Sequence, residues 1–231
     1  MGPPLRLVHL VVLALTACTK PNDKGGPGGA ASSSALSVAG ANAAADAAFW
    51  QWFAGHKGKL AVVKRADEPI ADELAAQLRK IDKDMTFELA VETKERELIV
   101  SAGGIRSAFP AVKRLVAAAP PLEGWKIIAF RPRKLADFTV ELGDGTTLAP
   151  AALTFRVLGS GRGKVGIAIY VEGDKSVSQQ TKSAVYLLLD AALGELDVET
   201  RLGEIDIKAG PAPGGGRPFR ELPKVVDEAT R

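Results

Sequence analysis

Apolar positions along the chain change their period several times, and each change marks an element. Leu7 to Thr16 is an unbroken apolar run. From Thr19 to about Ala45 no large apolar residue occurs except Leu36 and Val38. Ile70, Leu74, Leu78 and Ile81 then recur at helical spacing, which predicts a helix from about Glu68 to Asp82 with Pro69 in its first turn. Phe87, Leu89 and Val91 alternate, predicting a strand over Met85–Val91, with a second strand over Leu98–Ala102 and Thr93 to Arg96 as the hairpin link. Gly103-Gly104 breaks that strand. A helix over Ser107–Ala118 follows, burying Phe109, Val112, Leu115 and Val116, and it stops before Pro120-Pro121. Trp125 to Phe130 is a strand closed by Arg131-Pro132-Arg133.

The second part repeats this grammar. Asp137 to Leu148 reads as a hairpin turning at Gly143-Asp144-Gly145. Leu153–Leu158 and Val165–Glu172 are strands. A capping box at Ser176–Gln179 opens a helix to Leu193 that is apolar on most sides, with Gly194 as its C-cap. Leu196 to Ile207 reads as a last strand, bulged at Gly203, because Val198, Thr200 and Leu202 share one parity and Ile205 and Ile207 the other. Thr86-Phe87 and Thr154-Phe155 open the same order of elements. The expectation is an α+β fold: a largely antiparallel mixed sheet, shared by two ββαβ halves, with helices packed on it.

Domain limits follow from the same pattern. Residues 1–17 form a signal peptide, and 18–45 a flexible tether rich in Gly, Ala, Ser and Pro, too polar to bury a core. Residues 46–209 form a single α+β domain with halves at 66–134 and 137–208, and 210–231 is a flexible tail.

The signal peptide is of a particular kind. The apolar run is too short to span a bilayer and ends in Leu15-Thr16-Ala17-Cys18, which resembles the lipobox of bacterial lipoproteins. The resemblance implies cleavage before Cys18, acylation of its thiol and amino group (palmitate or a similar chain), and a place in the cell envelope, at the outer membrane. Each buried methylene of such chains contributes about 0.8 kcal/mol.

Composition removes several chemistries. Cys18 is the sole cysteine, so the mature domain has no disulfide and no thiolate nucleophile or metal site. His9 leaves with the signal, and His56 alone cannot make a histidine zinc site. No cofactor and no metal are expected. With 30 basic and 27 acidic residues interleaved, a net charge of +3 gives no nucleic-acid footprint.

Four features remain as candidate chemistry. Gly161-Arg162-Gly163-Lys164-Val165-Gly166 satisfies G-x-G-x-x-G, but a strand follows it where a phosphate site needs a helix N-terminus, so it reads as a hairpin loop. Asp197 and Glu199 at i and i+2 of a strand would project side by side about 6–7 Å apart, the arrangement a hydrolase acting on a sugar would need. Arg131 and Arg133 flank Pro132 at a strand end, with Arg106 and Arg114 as further cations; guanidinium forks suit a carboxylate or phosphate. Phe49-Trp50-Gln51-Trp52-Phe53 reads as a helix sealing a core or, alternatively, facing a partner. The best reading is a non-enzymatic binding module whose candidates for ligand contact are Arg131, Arg133 and Arg106, for an envelope protein or a small anionic ligand. The alternative is the hydrolase.

From Phe49 to Ile207 the chain also resembles an uncharacterised bacterial family. The matching segments are Phe49–Phe53, Thr86-Phe87-Glu88, Ile99–Gly104, Phe109–Val112, Trp125–Arg133 and Leu193–Thr200. That resemblance implies domain limits and no mechanism. Many members of that family lack a lipid signal, which implies that the anchor is a local addition.

Overall fold

The computed structural model describes residues 32–63, 68–90, 95–134, 139–142 and 146–230. The fold is α+β. It consists of two compact units, Met1–Ala129 and Phe130–Arg231, where a single domain over 46–209 was expected. The lipobox with Cys18, the Gly143-Asp144-Gly145 turn and Thr93-Lys94 lie outside the described residues.

The N-terminal unit begins with α1 (Ser32–Leu60), so the helix reaches back into the stretch read as tether. Phe49, Trp50, Phe53 and Leu60, at helical spacing on one face, are buried. The Trp50 indole N–H donates to the Leu115 carbonyl at 2.9 Å. The aromatic cluster is therefore core, with Phe53 edge-on to Trp125 at 5.0 Å. Helix α2 (Pro69–Arg79) buries Ala71, Leu74 and Leu78. Strands β1 (Thr86–Ala90) and β2 (Arg96–Ser101) are antiparallel. Helix α3 (Phe109–Ala117) then crosses to β3 (Trp125–Ala129), which lies parallel to β2. Buried Asp46 of α1 holds Arg114 of α3 by two hydrogen bonds, 2.7 and 3.2 Å.

The C-terminal unit starts with the short pair β4 (Val140–Glu141) and β5 (Thr147–Leu148). A 3-10 turn, Pro150–Ala152, leads into β6 (Leu153–Gly161) and antiparallel β7 (Lys164–Val171). The loop between them is Arg162-Gly163, both at positive φ (52° and 73°), a two-residue mirror-image turn. The glycine motif is thus a hairpin. Helix α4 (Gln179–Leu193) is capped by Ser178, whose hydroxyl accepts from the Thr181 N–H. It buries Val185, Leu188 and Leu189 against Phe155, Ile167 and Ile169. After α4 come α5 (Glu195–Arg201) and β8 (Leu202–Ala209), parallel to β7. Each unit thus runs strand, antiparallel strand, helix, parallel strand. The halves do not share a sheet: β1-β2-β3 and β8-β7-β6-β9 are separate.

Two further expectations fail here. Glu195 to Arg201 is helical, where a strand was expected from Leu196. Seven residues fit both periods, and Glu, Leu and Arg favour the helix. Gly194 (φ 88°) separates α4 from α5, and Asp197 in the first turn pairs with Arg201 in the last. The strand proper starts at Leu202, and its register slips against β7 between Leu202 and Ile205, at Gly203.

Residues 210–231 were expected to be a loose tail. Instead β9 (Arg217–Pro218) pairs with β6, a 3-10 turn spans Phe219–Glu221, and α6 (Leu222–Ala229) follows. Phe219, Leu222, Val225 and Val226 are buried in the core of the unit. The Gly/Pro-rich start masks an amphipathic end of only eight helical residues, which a packed neighbour is needed to stabilise.

Candidate functional site

The arginines expected to meet a ligand are held by local acids. Arg131 and Asp190 approach to 3.2 Å, with side chains only 10% and 8% exposed. The chain at Arg131 is tied to the α4–α5 junction as well. Its N–H donates to the Glu195 carboxylate at 3.1 Å, and its carbonyl accepts from the Glu195 N–H at 2.9 Å. Gly194 sits against this segment: a Cβ there would lie 3.4 Å from the Arg133 nitrogen. Arg131 is therefore a buried structural partner, and the expectation that it is presented to a ligand does not hold.

Arg133 lies in a half-exposed cluster. Both its terminal nitrogens donate to Asp227, at 3.0 and 3.1 Å. Arg201 reaches Asp227 at 2.8 Å and Asp197 at 2.9 Å, and Arg133 comes within 3.7 Å of Asp197. The Arg201 guanidinium also donates to the Thr230 hydroxyl at 2.7 Å. The hydrogen bond from Arg133, then the one from Arg201, hold the Asp227 carboxyl at about 2 against the opposing effect of burial. Two arginines facing two aspartates leave no excess charge for an anion. The cluster fastens α6 to α5 and to the chain after β3.

Arg106 is exposed, in the 3-10 turn Arg106–Ala108 of the N-terminal unit, so the three arginines do not belong to one unit. Arg114 is bound to Asp46. The carboxylates Asp197 and Glu199 do not form a pair either. On a helix, positions i and i+2 point about 200° apart, and Asp197 is committed to Arg201. His56 stacks on Trp52 at 4.5 Å, and its Nδ1 donates to the Trp52 carbonyl. Among the described residues no cluster of three or more His, Cys, Asp or Glu side chains could hold a metal.

What the sequence did not reveal is a cavity of about 550 Å³ in the C-terminal unit. It forms where the turn before β6 meets the turn after β9. Ala149, Pro150, Ala151, Leu153, Pro218 and Phe219 supply apolar walls, and Thr139, Thr154 and Arg220 the polar groups. Gly216 lets the returning chain approach β6. A Cβ at that position would stand 2.7 Å from the Thr154 Cβ, closer than atoms can come. The Thr154 hydroxyl is buried and has no hydrogen-bond partner. It is packed against Gly216, where a Cβ would lie 2.8 Å from the hydroxyl oxygen, so it does not open into the cavity. Arg220 is exposed. Thr139 and Arg220 line one cavity only because β9 returns to β6, which no local pattern signals.

No protein-family model, no curated protein and no solved structure matches this chain.

Proposed function

We propose that the chain is a lipid-anchored protein of the bacterial cell envelope, at the outer membrane, whose C-terminal unit is a non-enzymatic binding module for a small anionic ligand. The observation that carries the binding half is the cavity. Its volume of about 550 Å³ lies within the range of small-molecule sites. Arg220 at its wall supplies a guanidinium for a carboxylate or phosphate, and Thr139 supplies a hydroxyl. The anchoring half rests on Leu15-Thr16-Ala17-Cys18 after the apolar run. Among the described residues no helix is long and apolar enough to cross a membrane, so the lipid on Cys18 is the attachment this reading requires.

Native mass spectrometry of the full chain, purified from envelope extract, tests the binding half. A small anion should be retained by the parent and lost from Arg220→Ala, with thermal unfolding unchanged. Retention equal in the two proteins, or no retained molecule, overturns the cavity as a site. Fatty-acid labelling tests the anchor separately: Cys18→Ser should abolish both label and membrane retention, and unchanged retention would overturn it.

A further inference from the structure

We propose that the outer part of β6, Arg156 to Gly161, is a docking edge for an extended acidic segment of another protein. The inference does not depend on the cavity. Strand β9 pairs with β6 only at Thr154 and Phe155. Beyond Phe155, the side of β6 that faces away from β7 has no neighbouring strand among the described residues. An open strand edge offers unpaired N–H and C=O groups, a template for another extended chain.

The surroundings of this edge are those of a binding surface. Arg156 to Gly161 are all exposed, whereas Val165 and Ile167 on β7 beside them are fully buried. Val157 and Leu158 remain 43% and 50% exposed, two of the few large apolar side chains that do. The register slips between Val157 and Gly159, so Leu158 has no partner on β7. Leu158 packs beside Gly166, where a Cβ would be in ordinary contact with the Leu158 Cβ at 3.5 Å and 3.8 Å from that of Glu204 on β8.

Charge selects the occupant. From Leu153 to Val171 the hairpin carries no acid, and its charges are Arg156, Arg162 and Lys164. Arg156 is steadied by donating to the Pro213 carbonyl, and Lys164 by the Glu199 and Leu202 carbonyls. A second copy is disfavoured: antiparallel pairing of two such edges would bring Arg156 of one against the Gly161–Arg162 end of the other, and like charges facing across strands destabilise. An acidic extended segment reverses the sign of that charge contact: with its acidic side chains on the face of Arg156, its alternate apolar side chains lie on the other face and cover Val157. An anionic lipid surface would meet the cations but has no regularly spaced amides for the open backbone.

The test uses the full chain carrying Cys18→Ser and an acetylated, fluorescent octapeptide alternating Glu and Val. Saturable binding is expected, weakening as salt is raised, with amide NMR shifts confined to Arg156–Lys164 and neighbours. The alternating Lys/Val peptide, and the Glu/Val peptide N-methylated at every amide, should each bind at least about tenfold more weakly, because one lacks the charge and the other the backbone donors. Arg162→Glu should weaken binding with the unfolding temperature unchanged. Equal binding of the N-methylated peptide overturns strand addition. So do shifts mapping elsewhere, absence of saturable binding, or binding only to phosphatidylglycerol vesicles.

Discussion

Replacing Arg131 by methionine is the most informative perturbation of the C-terminal unit. Its guanidinium and the Asp190 carboxylate lie 3.2 Å apart and are 10% and 8% exposed. At an effective dielectric of about 20, two unit charges at that distance attract by about 5 kcal/mol. The desolvation of both ions has already consumed much of that in the native protein. Methionine removes the cation but leaves Asp190 in place. It also keeps the backbone N–H, so the hydrogen bond to Glu195 (3.1 Å) survives. The expected loss is thus the cost of a buried carboxylate deprived of its guanidinium, about 3–5 kcal/mol. Adding Asp190→Leu should restore most of it, since two apolar side chains need no pairing. Arg133→Met should cost only about 1 kcal/mol, because Arg133 and Asp227 are 29% and 34% exposed and screened by water. Urea unfolding is the assay, followed by far-ultraviolet circular dichroism and by amide exchange of β7. Trp50, Trp52 and Trp125 all lie in the N-terminal unit, so tryptophan fluorescence reports the wrong half. Arg131→Met within about 1 kcal/mol of the parent, or a double variant showing no recovery, would refute the argument.

Three other expectations follow from the packing. Leu188, 1% exposed in the core under α4, should not tolerate Asp: the carboxylate costs several kcal/mol, comparable to the whole stability, and loss of a cooperative thermal transition in the C-terminal unit is the readout. Deleting residues 211–231 should expose surface on β6 and α4 and bring dye binding and aggregation, because Phe219, Leu222, Val225 and Val226 leave the core, each worth roughly 1.5–3 kcal/mol; an unchanged denaturation midpoint would contradict this. Asp227 has its carboxyl lowered from 3.8 to about 2, so its contribution is complete above the ordinary carboxylate range and disappears as pH falls through about 2; carboxyl-carbon NMR checks the midpoint, and Asp227→Asn should flatten that part of the stability–pH curve.

Periodicity alone located α2, β1, β2, α3, β3, β6, β7 and α4, because each buries a face long enough for one repeat to dominate. The repeated order of strands and helix was legible for the same reason. It failed at Glu195–Arg201, where seven residues satisfy two periods, and contact between Val198, Leu202 and the core decides for the helix. It failed again after Ala209, where a short apolar stripe acquires stability only from the sheet it covers. The charged residues divide in the same way. That Arg131 and Arg133 stand at a strand end is a local fact. Their partners Asp190 and Asp227 lie 59 and 94 residues away, and only folding brings them within hydrogen-bond reach. The cavity and the open edge of β6 have one origin in the return of β9, which covers only two residues of a nine-residue strand. Local sequence specifies which residues become extended or helical. Where a returning segment ends, and what it leaves uncovered, is set by long-range packing, and the surfaces proposed for binding arise there.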